Sequence, residues 1–242
     1  MFNYIWHTFF FDPVYNSLVF FIDVIPGADV GLAIIATTIL VKTILLPISI
    51  KAAKTQVVMR ELDPKLKEIK EKFKDSKEEQ AKEMMALYKD SGLNPFASVF
   101  LVLLQIPIII ALYLAVMRGG GVPLPDINID ILYSFVASPE SVNMIFLGMI
   151  DITTKSLPLA LMAGIAQFYQ AKLITPKMEP REKGAAPDFK ADFQRSMQIQ
   201  MRFVLPVIIF VVAYTISAAI AIYFTIGALT SIAQELYVKK HR

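Results

Sequence analysis

Cysteine is absent from this 242-residue chain, so disulfides, thiolate nucleophiles and a thiol-linked lipid anchor are excluded. Histidine is nearly absent: His7 and His241 stand near opposite ends, which leaves no histidine triad and no histidine-rich metal site to assemble. There is no HExxH, no G-x-S-x-G and no Walker loop. The Gly119-Gly120-Gly121 run follows an apolar segment and reads as a flexible turn, not as a phosphate cradle. No catalysis, cofactor, metal or specific nucleic-acid site is expected. Basic residues are missing from the first 41 positions, so no conventional signal peptide with a basic n-region is expected either. Internal repeats and separate soluble domains also go unseen.

What remains is apolar. Hydrophobic residues make up 55% of the chain and the mean hydropathy is +0.54, too apolar for an ordinary soluble domain of this length. They gather in long stretches almost free of charge, as helices in lipid require. Val30 to Ile50 is apolar apart from Lys42 and some hydroxyls; Ser98 to Met117 has no charge; Ser156 to Ala171 is shorter and holds two glutamines. Phe203 to Ala233 runs 31 residues without a charge. As one helix that run would be about 46 Å long, well over a hydrocarbon core of about 30 Å.

Charge placement resolves the long run. Arg195 and Arg202 precede it, and Lys239, Lys240 and Arg242 follow it. Basic residues at both ends put both ends in the cytoplasm, which predicts two short helices turning near Tyr214 to Ala218. Lys51 to Asn94 and Lys177 to Arg195 are rich in lysine and belong on the same side. Gly119 to Thr154 carries Asp126, Asp130, Glu140 and Asp151 but no Lys or Arg, and faces outward. The expected topology is N-out, C-in with five crossings: 30–50, 95–117, 156–175, 203–215 and 217–236. They are joined by a cytoplasmic hairpin at 51–94, an external loop at 118–155 and a cytoplasmic loop at 176–202, with a tail at 237–242. In the external segment 1–29, Val14 to Ile25 is apolar but short and lies between Pro13 and Pro26. It reads as a helix on the outer interface, with Trp6 at headgroup depth.

The hairpin alternates charge sign, with Leu66, Ile69 and Phe73 at helical spacing. Asp63-Pro64 suits an N-cap and first helical position, and Ser76 with Glu79 a capping box, so Lys74 to Ser76 forms the tip. On charge pattern alone it is a solvated spacer or a docking arm. Inside the membrane Lys42 comes first: a lysine there costs a few kcal/mol unless it reaches water or a partner. Thr38 at i−4 and Ser49 at i+7 share its face. It snorkels to the headgroups or lines a wet groove. Gln167 and Gln170, Gln105 before Pro107, and Tyr223, Thr230 and Gln234 at i, i+7, i+11 with Gly227 between are polar stripes that suit such a groove or simple helix-to-helix bonding. No acidic residue is read within the five spans to pair with Lys42.

These motifs have a familiar order. Gly31-Leu32-Ala33-Ile34-Ile35 through Lys42 and Leu46-Pro47, then Leu62-Asp63-Pro64-Lys65-Leu66-Lys67, Met84-Met85-Ala86-Leu87-Tyr88-Lys89, Asn94-Pro95, Leu104-Gln105-Ile106-Pro107-Ile108 and Ala111-Leu112-Tyr113 resemble the YidC/Oxa1/Alb3 insertase core. The similarity continues more weakly to Tyr237-Val238-Lys239-Lys240. The resemblance implies an all-α integral membrane fold in which five transmembrane helices surround a hydrophilic groove, open to cytoplasm and lipid and closed outside. It places Lys42 at the family's basic groove position, where Arg is frequent. Ser217-Ala218-Ala219-Ile220 and Phe224 stand where Pro-Ala-Gly-Leu and Trp are common. The implied function is insertion of nascent membrane proteins into the bacterial inner membrane without nucleotide hydrolysis, with the bilayer, the ribosome and the Sec translocon as partners. A small-solute transporter or channel, which would show paired intramembrane charges or an inverted repeat, and a purely structural assembly factor are the alternatives.

Overall fold

A computed structural model describes residues 2–92, 97–118, 121–175, 196 and 198–240. In chain order the helices are α1 (Phe2–Trp6), α2 (Asp12–Val24), α3 (Val30–Ile44), α4 (Leu46–Glu61), α5 (Asp63–Lys72), α6 (Lys77–Asp90) and α7 (Ala97–Arg118). A two-stranded antiparallel pair follows, β1 (Ile145–Phe146) and β2 (Ile150–Asp151). Then come α8 (Leu157–Ile174), α9 (Leu205–Ile216) and α10 (Ala218–Lys240). The chain forms two compact units, 1–43 with 107–237 and 44–106 with 238–242.

Helices α8 and α10 are each long and apolar enough to cross a membrane, and the broken pair Val30–Ile44 with Leu46–Thr55 makes a third candidate. Leu103–Arg118 and Gln200–Ile216 are shorter apolar helices. Large apolar side chains such as Ile165 and Val207 stand more than half exposed, as expected where lipid is the solvent. The protein is therefore a mostly helical membrane protein.

In the first unit, α2 has Pro13 in its first turn and follows directly on a wider π-type turn at His7–Phe11, which itself follows α1. A proline within a helix's first turn gives up only a donor that would lack an intrahelical partner anyway. After Val24 the chain turns through Gly27 and Ala28, both at positive φ (81° and 51°). Helices α8 and α9 pack antiparallel: Gly164 meets Pro206 and Phe210, while Phe168 meets Phe203 nearer the other end. Buried Ala160, Ala163 and Ala166 form a small-residue face on α8, as close helix contact in lipid favours. The uncharged run breaks at Ser217, whose backbone is extended, within the stretch where charge placement puts the turn. The first amides of α10 donate to the preceding loop, Ala218 to the Thr154 carbonyl at 2.7 Å and Ala219 to that of Ile152 at 3.0 Å.

The segment 30–50, expected as one helix, is interrupted at Leu45. Pro47 explains the interruption. It lacks an N–H, and its ring crowds the carbonyl of Thr43 four residues earlier. Pro107, by contrast, sits inside α7.

In the second unit, α5 begins one residue earlier than expected: Leu62 is its cap, Asp63 its first residue, and Pro64 falls in its first turn. Ser76 caps α6 as predicted, accepting from the Glu79 amide at 3.4 Å. Across the tip, Gln80 Nε2 donates to the Lys70 carbonyl at 2.9 Å. Leu66 is buried, whereas α6 buries no residue. Asn94, and the loop with Lys177 to Arg195, lie outside the described residues.

Candidate functional site: a half-buried lysine beneath a hydrogen-bonded cap

Lys42 occupies the last turn of α3 and is half-buried. Its Nζ donates to Ser231 Oγ on α10 at 3.4 Å, and Ser231 Oγ in turn donates to the Gly227 carbonyl at 2.8 Å. The lysine stem passes Gly227, where a Cβ would sit in ordinary van der Waals contact with Lys42 Cε, at 3.7 Å. The ammonium thus has one neutral, long-range partner, and among the described residues no carboxylate pairs with it. A charge held in this way retains its attraction for a carboxylate brought to it.

The other predicted residues divide. Thr38 is 2% exposed, and its hydroxyl donates to the Ile34 carbonyl of its own helix at 2.7 Å. It is packed wall, not free polar surface. Ser49 lies beyond the break at Leu45, in the second unit, where its hydroxyl donates to the Leu46 carbonyl at 3.0 Å. The seven-residue register that puts it on the face of Lys42 assumes an unbroken helix, and the helix is broken between them. Gln105 is half-buried in α7, also in the second unit. Gln167 and Gln170 are half-buried on α8, and no hydrogen bond joins either to Lys42. On α10, Tyr223 is buried and Gln234 half-buried. Thr230 Oγ1 donates to the carbonyls of Ile226 and Gly227 at 2.8 and 3.0 Å. One expectation fails outright. Glu235 lies within the last predicted span and is 5% exposed on α10, so the spans do hold a buried acid; it is engaged by neighbours in the structure. The uncharged run stops at Ala233, but the helix continues to Lys240 and carries Glu235 with it.

In the same unit, α2 and the loop 121–156 form a cap. Buried Asn16 works as a bracket: Nδ2 donates to the carbonyls of Asp12 and Ile131, both at 2.9 Å, and Oδ1 accepts the Tyr133 amide at 2.6 Å. Tyr15, fully buried, accepts the Asn128 amide on its hydroxyl at 2.9 Å. Burial pushes that phenol above its ordinary value, and the Asn128 amide opposes the shift. Asp29 joins the loop to α3, its Oδ1 accepting the Leu32 amide at 3.1 Å and its Oδ2 the Leu147 amide at 2.7 Å. Val30 N donates to the Asn143 carbonyl and Asn143 N to that of Ala28. Gly31 lies so close to Phe146 that a Cβ there would meet ring Cγ at 2.6 Å and Cβ at 2.8 Å. His7 Nδ1 and Asp12 Oδ1, 2.8 Å apart, complete the cap's outer edge.

A half-buried cation on the first long helix, contacting the last one, and an interlocked cap on the same unit accompany a sequence match along almost the whole chain. The family model described as "60Kd inner membrane protein" matches residues 21–242. The chain belongs to the YidC/Oxa1 family. Among its YidC/Oxa1 relatives, a Membrane protein insertase YidC from Clostridium tetani is 30% identical over 89% of this chain and 84% of its own length. One of the same name from Oceanobacillus iheyensis is 30% identical over 98% and 84%. Membrane protein insertase MisCA from Bacillus subtilis is 31% identical over 97% and 79%.

Sequence reasoning missed Ser231, Asn16, Asp29 and the Gly31–Phe146 contact. A faint signal for Ser231 existed: Gly227-x-x-x-Ser231 is a small-xxx-small pair, which lets a neighbouring chain approach a helix closely. Asn16 sits inside an apolar stretch, and asking what its amide bonds to would have found it.

Proposed function

We propose that this protein inserts membrane proteins, moving hydrophobic segments and their short polar tails from the cytoplasm into the bilayer through a hydrated groove that contains Lys42. The observation that carries the reading is the Lys42 ammonium, half-buried at the end of an apolar helix and held by a neutral hydroxyl. The relatives' insertase names point the same way. Five crossings run N-out, C-in in the bacterial inner membrane. The cap closes the outer end, and Gln167, Gln170, Tyr223, Thr230 and Gln234 add polar surface. The apolar helix Gln200–Ile216, of which α9 is the greater part, is about 25 Å long at about 1.5 Å per residue, short of a full hydrocarbon core of about 30 Å, so it thins the bilayer around it. An incoming tail is held near Lys42, then released outward as the substrate's apolar segment leaves water, which drives the step without nucleotide. The α5–α6 hairpin is a docking arm for substrate, ribosome or Sec translocon.

Reconstituted insertion tests the site. Two single-span substrates are compared, one with an acidic tail and one with a neutral tail. Lys42→Arg keeps activity on both, because either cation attracts a carboxylate. Lys42→Glu lowers insertion of the acidic-tailed substrate by on the order of tenfold, a modest part of the Coulomb energy between close charges at a partly hydrated site. Lys42→Ala impairs the acidic-tailed substrate more than the neutral one. Equal activity of wild type and Lys42→Glu on both substrates overturns the role of Lys42. The absence of native cysteine makes the topology directly testable: cysteines at Ser76 and Ser138 label from opposite sides of the membrane with impermeant reagents, and same-side labelling rejects it.

A further inference from the structure

Helices α8 and α9 leave a crevice of about 560 Å³ between them, walled by Leu161, Phe168, Tyr169, Phe203, Val207 and Phe210. Its polarity is one-sided. Because the helices are antiparallel, the C-terminal turn of α8 and the start of the α9 segment lie at the same end. Lys172, exposed in the last turn of α8, is four residues after the crevice residue Phe168 and so on its face. Arg202 immediately precedes the crevice residue Phe203. Its Nε is buried and finds no hydrogen-bond partner, and the guanidinium makes no ion pair among the described residues. A buried guanidinium nitrogen left unpaired is costly, and this one belongs to the residue next in sequence to a wall of the crevice.

We propose that this crevice is a binding site for one anionic phospholipid, its acyl chain lying along the aromatic walls and its headgroup phosphate held by Arg202 and Lys172. An amphiphile with a negative head matches this pairing of an apolar crevice with two cations that neighbour its walls in sequence, at one end of the helix pair. A soluble anion would gain nothing from the apolar walls, and a neutral lipid would bring no counter-charge to Arg202 and Lys172. The site involves neither Lys42 nor Ser231, so it stands whether or not the groove reading holds. It gives the protein a lipid-headgroup preference on one face, and fixes a lipid against the short helix proposed to thin the bilayer.

Quenching by brominated lipid measures it. Trp6 is the sole tryptophan, so Trp6→Phe with Tyr169→Trp places a single reporter at the crevice mouth, where Tyr169 is 57% exposed. The full-length protein is reconstituted into mixtures of dibrominated phosphatidylglycerol or dibrominated phosphatidylcholine with unbrominated lipid. Phosphatidylglycerol is expected to bind at the reporter roughly fivefold more tightly, as one well-placed basic residue near a lipid surface supports. Arg202→Gln with Lys172→Gln should bring that ratio to about one while leaving phosphatidylcholine quenching unchanged. Should the reporter variant fold poorly, native mass spectrometry of the wild type released from phosphatidylglycerol nanodiscs serves instead, with one lipid retained and Arg202→Gln losing it. Equal quenching by both lipids in the reporter protein, or a preference untouched by removing both cations, overturns the site. So does loss of the preference when an apolar substrate segment, and not the lipid, is found cross-linked to Phe203.

Discussion

The cap and the charged hairpin are both polar, exposed-looking stretches of sequence, yet they are held by opposite means. In the cap, contacts leap more than a hundred residues: Asn16 to Ile131 and Tyr133, Tyr15 to Asn128, Asp29 to Leu147. Each buried bond depends on a loop arriving from elsewhere in the chain. In the α5–α6 pair, the bonds at the tip are local, Ser76 to Glu79 and Gln80 to Lys70, and Leu66 is the one buried side chain among the described residues. Polar residues in the cap are therefore structural, since an orphaned buried group costs more than a bond is worth. Those of α6 are not buried, so stability depends little on them. Sequence polarity alone would have ranked the two the other way round.

The comparison breaks first at Asn16. Asn16→Leu removes three bonds and leaves the Ile131 carbonyl and Tyr133 amide unpaired in a buried place, for a loss of about 3 kcal/mol or more. Thermal unfolding in detergent should show a lower midpoint; an unchanged midpoint would mean that the cap is not a stability element. Gly31→Ala comes next, because the new Cβ invades the Phe146 side chain down to its own Cβ and cannot be relieved by a small ring movement. Overpacking of this kind costs about 1–3 kcal/mol, and Phe146→Leu in the same chain should recover part of it. If the double variant is no more stable than Gly31→Ala, the contact is not the cause. On the hairpin side, Ser76→Ala should raise amide hydrogen exchange in the first turn of α6 by the equivalent of about 1 kcal/mol without moving the global midpoint. Smallest of all, replacing residues 67–82 by a short linker should leave a membrane-integrated protein whose midpoint stays within the range of ordinary surface changes, about 0.5 kcal/mol. Disappearance of that variant from the membrane fraction would place the hairpin among the core elements.

Much of this architecture is legible in residue order. Apolar length announces membrane helices, since the bilayer sets a minimum span and lipid tolerates few charges. The break near Ser217 follows from a run too long for the hydrocarbon core, and Ser76 is readable as a cap because capping is settled within four residues. Lys42 stands out by cost alone. These are local or one-dimensional properties, and the order of residues suffices to set them.

Packing settles the rest. Thr38 and Ser49 look like companions of Lys42 on a helical wheel, but one turns its hydroxyl to its own backbone and the other falls beyond the break at Leu45. A wheel assumes an unbroken helix and says nothing of what the backbone already accepts. Ser231 becomes the lysine's partner because α10 packs against the end of α3, with the lysine stem passing Gly227 one turn earlier. Glu235 is buried because its helix outlasts the apolar run that begins it. Pairing, burial and orphaned groups depend on which distant segment arrives opposite a side chain, and that is fixed by packing in three dimensions, not by order along the chain.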